Sequence, residues 1–204
     1  QKRLLQEREK LISYLDFYSL GAKYNFTYHS IEKAFEYAVL EFPFAFWQFG
    51  CKCNEIPNYD DTLEQAVKYF IPVSWFLMFS DEFINNLHSH YYQAATEMGY
   101  YGYRTKEFEG LIKALPTNLN PHATFLPNKM EVTFDNTLLN DVKAWLDLKG
   151  DNIIYIYGST DTWSACAVTP SKKVDSVWFF LNGKNHINAN IKTMSNEEKQ
   201  LFIT

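Results

Sequence analysis

Asn152-Ile153-Ile154-Tyr155-Ile156-Tyr157-Gly158-Ser159-Thr160-Asp161-Thr162-Trp163-Ser164-Ala165 is the stretch from which the fold can be read. An apolar, β-branched and aromatic run stops at a glycine turn, and Asp161 follows just past it. Such a run predicts a buried-type strand over 152–157. A second apolar run, Val177-Trp178-Phe179-Phe180-Leu181, ends in Asn182-Gly183 and is followed by Lys184-Asn185-His186. It predicts a strand over 176–181. An Asp and then a His, each on a loop after a strand, can form a chemical pair. The carboxylate holds one ring nitrogen of the imidazole, which fixes its tautomer. The other ring nitrogen is then free to take a proton from a nucleophile.

The order of strand, Asp loop, strand and His loop is that of the last two triad members of an α/β-hydrolase. The nucleophile of that fold lies upstream, in a Gly-x-Ser-x-Gly elbow. None of the eight glycines here builds that pattern. The chain opens at Gln1, with no Met and no secretory leader. We therefore expect the C-terminal portion of a larger enzyme. The plainer alternative is a complete helical domain with Asp161 and His186 as surface loop residues.

Composition sets the outer bounds. A length of 204 residues suits one large domain or two small ones, and a hydrophobic content of 47% is ample for a core. Aromatic residues make up 18%, and aromatic helices both pack cores and line pockets. A net charge of −5 with no basic block argues against nucleic acid as a partner. No apolar run is long enough for a transmembrane helix. Cys51, Cys53 and Cys166 do not make a four-ligand zinc pattern. Their odd number leaves disulfide state and compartment open.

Helices dominate the first part. Leu4, Leu5, Leu11, Ile12, Leu15 and Tyr18 recur at helical spacing. Ser30 can cap a second helix, which Pro43 is expected to end or kink. Asp60 or Asp61 can cap a third, Thr62 to Phe70, stopping near Pro72. A long aromatic helix is expected from about Val73 to Ala95, with possible pauses at Ser80-Asp81-Glu82 and Asn85-Asn86. Its stripe of Trp75, Phe76, Phe79 and Phe83 reads as core. Residues 99–135 carry Gly99, Gly102, Gly110, Pro116, Pro121 and Pro127, a run of turns. Residues 137–149 read as a helix capped by Asp135 or Asn136, with Leu138, Val142, Trp145 and Leu146 on one face and Gly150 at its C′ position. Ser195-Asn196-Glu197-Glu198 is a capping-box signature for a last helix. The expectation is an α/β fold, helix-rich overall. A helical lid would span 1–98, and the C-terminal part of a hydrolase core 99–204.

Three short stretches carry a resemblance. Ile154 to Ser164 resembles the catalytic-Asp segment of a family of bacterial secreted serine peptidases, the tripeptidyl aminopeptidases. Lys184-Asn185-His186 is similar to that family's catalytic-His segment. Tyr92-Gln93-Ala94-Ala95-Thr96-Glu97-Met98-Gly99-Tyr100 is similar to a Gln-x-x-Thr-Glu-x-Gly signature shared with lysosomal prolyl carboxypeptidases and dipeptidyl peptidases. The resemblance implies an α/β-hydrolase core with a helical lid inserted between the nucleophile half and the Asp-His half. It implies removal of short peptides from free N-termini, often after proline, outside the cytoplasm: secreted or periplasmic. The implied partners are such peptides and the N-terminal remainder of the same polypeptide. No cofactor or metal is implied. One departure is Thr162, where the family more often has a proline that would stiffen the Asp loop.

Each candidate has a structural alternative. Asp161 is the candidate orienting carboxylate, or else an Asp hydrogen-bonding its own turn. His186 is the candidate general base and acid, or a loop His. Glu97 could anchor a substrate's α-ammonium as a semi-buried carboxylate, or be satisfied by backbone donors near Gly99. Trp163 could wall the substrate pocket or pack the Asp loop. His29, His88, His90 and His122 lack such context, and the spacing of His88 and His90 points their rings to different helix faces. The leading functional expectation is a serine exopeptidase part whose nucleophile lies outside these residues. The alternatives are a helical peptide- or partner-binding module, and an esterase or lipase with the same triad. Asp161 and His186 within hydrogen-bond reach would favour the enzyme readings over the module.

Overall fold

A computed structural model of the chain describes residues 1–116, 120–127 and 130–203. It is helix-rich, with one small parallel sheet. The helices are α1 (Lys2–Gln6), α2 (Arg8–Ala22), α3 (Ile31–Gln48), α4 (Leu63–Val73), α5 (Asp81–Asn86), α6 (His88–Gln93), α7 (Thr137–Lys149) and α8 (Asn196–Ile203). The strands are β1 (Ile153–Gly158) and β2 (Ser176–Leu181). Contacts divide the chain into two compact units. The helical unit comprises Gln1–Pro43 and Asn54–Leu138; the sheet unit comprises Phe44–Cys53 and Leu139–Thr204.

In the helical unit, the amphipathic first stretch is broken once, at Glu7. Ser30 caps α3 as expected, its Oγ accepting the Lys33 N–H at 3.4 Å. Pro43 does not end α3, which continues to Gln48. A proline inside a helix strands the carbonyl four residues back. Here that carbonyl belongs to Val39, and the Gln1 side-chain amide donates to it at 2.7 Å. A donor from outside the helix satisfies that carbonyl, so the lost hydrogen bond does not force the helix to stop. The α4 cap is Thr62, not Asp60 or Asp61. Thr62 and Gln65 form a reciprocal capping box.

The long helix expected over 73–95 is not continuous. Trp75 takes a left-handed backbone with φ 52°, and a 3₁₀ turn, α5, α6 and a π turn at Ala94–Met98 follow in succession. Ser80 caps α5, accepting the Phe83 N–H, so one of the two suspected pauses is a true helix start. Phe76 and Phe79 are fully buried, whereas Trp75 is largely exposed. The stripe is therefore core only in part. Phe79 and Tyr91 both stack on Phe125, at 5.2 and 4.5 Å between centroids.

Two buried carboxylates tie α3 to the turn-rich segment. Glu36 lies 2.8 Å from Arg8 Nη1 and accepts the backbone N–H groups of Lys113, Ala114 and Leu115. Glu41 accepts the hydroxyls of Tyr101 and Tyr103 at 2.7 and 2.8 Å. Burial pushes the Glu41 carboxyl from its ordinary 4.5 up to about 7, although the two tyrosines act to lower it. A carboxyl raised on folding favours the fold while it stays protonated. That contribution is complete below about pH 4.5, declines as the unfolded chain ionises, and is gone once the pH passes about 7. Its size is roughly 3 kcal/mol. Glu41→Gln keeps an acceptor for both tyrosines and cannot ionise. We expect it to match the parent at about pH 3.5 to 4, below the unfolded carboxyl's 4.5, and to exceed it by up to that amount at pH 8, read from urea midpoints. A variant less stable than the parent at pH 8 would contradict this account.

From α7 onward the expected elements lie close to their predicted bounds. Asp135 precedes α7, and its carboxylate accepts both the N–H and the hydroxyl of Thr137. Gly150 is not the left-handed residue after α7; Asn152 is, with φ 59°. β1 and β2 pair in parallel, Ile153 opposite Ser176 through Gly158 opposite Leu181. Phe179 and Leu181 are buried on one face with Met194, and Ile156 and Phe202 pack on them. Trp178 and Phe180, on the other face, stay substantially exposed, as do Val142 and Trp145 of α7. The Ser195 capping box opens α8: Glu198 N–H donates to Ser195 Oγ at 3.1 Å, and Ser195 N–H to Glu198 Oε2 at 2.7 Å. Among the described residues, no helix is long and apolar enough to cross a membrane.

Candidate active site

Both strands run the same way, so the loops that follow them leave the same end of the sheet. Cross-links between these loops set their separation. Ser159 N–H donates to the Leu181 carbonyl at 3.0 Å, and Gly183 N–H to Ser159 Oγ at 2.8 Å. Thr160 donates to the Lys184 carbonyl twice, from N–H at 2.9 Å and from Oγ1 at 2.8 Å. Gly158 makes this approach possible, since a Cβ there would lie 2.4 Å from the Lys184 oxygen. The loops meet because a hydrogen-bonded turn and a side chain of zero size allow it.

The consequence is the Asp161–His186 pair. Asp161 Oδ2 lies 2.9 Å from His186 Nδ1. Asp161 Oδ1 accepts the Trp163 N–H at 3.0 Å, which anchors the carboxylate at the start of a 3₁₀ turn, Thr162–Cys166. The Asp161 side chain is only 10% exposed, while that of His186 is 52% exposed. An ionised carboxylate can only accept, so Nδ1 carries the proton and Nε2 presents its lone pair. A shielded carboxylate behind a half-open imidazole is an arrangement that can take up and return a proton.

The other candidates fall elsewhere. Trp163 sits beside Asp161 through its backbone. Glu97 belongs to the helical unit. It is exposed rather than semi-buried, and lies on the π turn that ends at Met98. Among the described residues its carboxylate accepts no hydrogen bond, so the backbone donors near Gly99 do not occupy it. Asp175, an acid that could be considered in place of Asp161, immediately precedes β2 and so stands at the opposite end of the strand from His186. His29 is buried and faces Tyr37 edge-on. His122 accepts the Tyr100 N–H at 3.0 Å and stacks on Phe134. Among the described residues no cluster of His, Cys, Asp and Glu could hold a metal ion. Among the described residues, no disulfide joins Cys51, Cys53 or Cys166.

Sequence reading missed the end of α3. The His186 N–H donates to the Gln48 carbonyl at 3.1 Å, and the Thr162 hydroxyl to the Phe44 carbonyl at 3.3 Å. The one local signal was Gly50, just past an aromatic helix, in the place where a left-handed C′ glycine stands.

Comparison with known proteins agrees with the resemblance to the tripeptidyl aminopeptidases. The prolyl tri/tetrapeptidyl aminopeptidase of Streptomyces mobaraensis is 26% identical over 137 residues, which is 66% of this chain and 28% of that protein. The chain thus aligns with well under a third of that relative's length. No solved structure matches. The family model described as PS-10 peptidase S37 matches residues 1–201, and the chain belongs to that family.

Proposed function

We propose that this chain supplies the proton-handling half of a serine exopeptidase. Asp161 orients the imidazole, and His186 acts as general base and then general acid. The observation that carries the reading is the 2.9 Å contact between Asp161 Oδ2 and His186 Nδ1 on two adjacent loops at one end of a parallel sheet. His186 Nε2 takes the proton from a serine hydroxyl as the serine oxygen attacks the scissile carbonyl. It returns that proton to the leaving amine, and water then cleaves the acyl-enzyme by the same relay. The serine and most of the oxyanion hole lie on residues outside these 204. The exposed aromatic face of β1–β2 supports this. Parallel sheets are covered on both faces, and Trp178, Phe180 and the apolar side of α7 are uncovered here. Further strands of an α/β-hydrolase core would extend the sheet and its crossover helices would cover that face, with the helical unit as lid. The substrates are short peptides with free N-termini, and the site of action is extracellular or periplasmic. The family and the name of the Streptomyces relative support peptide substrates, and the extracellular or periplasmic setting is what the family resemblance implies.

Glu97 is the proposed anchor for the substrate's α-ammonium. Its open carboxylate is available to a charged donor, which a backbone-satisfied glutamate would not be. A hydrogen bond to a charged group contributes about 1.5–3 kcal/mol net. In the full-length enzyme, Glu97→Gln should lower kcat/KM for a free-amine peptide by roughly 10- to 150-fold, and hardly change it for the acetylated counterpart. The matched pair of substrates is measured alongside the melting temperature. An equal loss on both would remove the anchor role.

A further inference from the structure

We infer that the last turn of α3 is a positioning element for His186; the inference rests on the Asp161–His186 reading above. The helix ends in a Schellman turn. Gly50, with φ 71°, donates its N–H to the Trp47 carbonyl, and Cys51 donates to the Phe46 carbonyl at 3.1 Å. That pattern leaves the Gln48 carbonyl without a donor inside the helix. The backbone N–H of His186 supplies one, at 3.1 Å. The Thr162 hydroxyl reaches the Phe44 carbonyl of the same turn. His186 itself and the residue next to Asp161 are therefore tied to one helix end.

Gly50 sets the fit of this contact. A Cβ at Gly50 would stand 2.0 Å from Asn185 Nδ2. The Asn185 side chain is held from the other side, because its Oδ1 accepts the N–H groups of Ile187 and Asn188 at 3.0 and 3.2 Å. Asn185 N–H in turn donates to Asn188 Oδ1 at 2.6 Å. A methyl group at position 50 thus pushes on the residue that precedes His186, and the push cannot be absorbed by a free rotamer. Gln48, Gly50, Asn185 and Thr162 touch none of the reacting atoms. They act on where the imidazole stands. A displacement of about 1 Å at a catalytic group costs on the order of 10²-fold in rate.

The test compares Gly50→Ala, Gly50→Ala with Asn185→Ser, and Thr162→Val in the full-length enzyme, with His186→Ala beside them. We expect Gly50→Ala to lower kcat about 100-fold with KM within about threefold, and to speed hydrogen exchange at the His186 amide. Serine at 185 keeps a short acceptor for the turn and makes room for the new methyl. The double variant should regain at least about tenfold of the lost kcat. Thr162→Val, which removes only one tether, should lose kcat several-fold at unchanged KM. Should Gly50→Ala fail to fold, Thr162→Val carries the test alone. A folded Gly50→Ala with kcat within threefold of the parent would overturn the inference. So would a double variant no better than the single one, or a Thr162→Val indistinguishable from the parent. If His186→Ala itself retains the parent's kcat, the catalytic reading falls instead. An inactive His186→Ala with a fully active Gly50→Ala removes the positioning role alone.

Discussion

Asp161→Asn in the full-length protein is expected to lower kcat by about 10⁴ while KM stays within a few-fold. The size is that of the corresponding change in a serine-protease Ser-His-Asp triad. The carboxylate contacts His186 Nδ1 at 2.9 Å and is held in place by the Trp163 N–H. An Asn in the same position keeps the shape but can present its amide NH₂ to Nδ1. The imidazole then carries its proton on Nε2, where it cannot accept one from the nucleophile. Substrate binding does not use this contact, so KM is spared. Steady-state kinetics on a tripeptide amide checks both parameters together. A near-normal kcat would reassign the acid, with Asp175 the first alternative. Its place at the far end of β2 makes that reassignment difficult to reconcile with the sheet.

The largest expected stability effect lies in the helical unit. Glu36→Ala should cost roughly 3–5 kcal/mol, the range for removing one partner of a buried ion pair. The Glu36 side chain has no exposure, and Arg8 beside it is only 11% exposed. Deleting the carboxylate leaves a nearly buried guanidinium uncompensated. It also leaves the N–H groups of Lys113, Ala114 and Leu115 without their acceptor. Each lost buried bond adds to the penalty. Urea unfolding of parent and variant at pH 7 measures it. A difference below about 1 kcal/mol, the level of an exposed surface pair, would show that the segment 113–115 is held mainly by Leu115 and its apolar neighbours.

The parts of the fold that were legible in sequence are those decided locally. β1 and β2 announce themselves by uninterrupted apolar runs ending at Gly158 and Asn182-Gly183. Ser30 and the Ser195–Glu198 box mark helix starts, because a cap needs only the residues of one turn. Asp161 and His186 could be singled out because loop, strand and chain order together imply their chemistry. What was not legible depends on distant partners. Pro43 reads as a stop because its missing N–H strands the Val39 carbonyl, and nothing nearby reveals that Gln1 satisfies it. The run 73–95 has helical periodicity throughout. Trp75 breaks it with a left-handed backbone that no local rule assigns to tryptophan. Glu36 and Glu41 look like ordinary exposed helix charges until the segments 101–103 and 113–115 fold over them. Gln48 and Gly50 were invisible as site residues for the same reason, since their relevance is a backbone contact to a loop far along the chain.

The most direct test of the central claim is labelling with a fluorophosphonate, which reacts with a serine only when a neighbouring base activates it. The full-length protein and its His186→Ala variant are treated side by side, at matched melting temperature, and the tagged peptide is mapped by mass spectrometry. The account predicts rapid labelling of a single serine outside these 204 residues in the parent, and loss of that labelling in the variant. Labelling at the same rate in His186→Ala, or no labelled serine in a catalytically active parent, would contradict it.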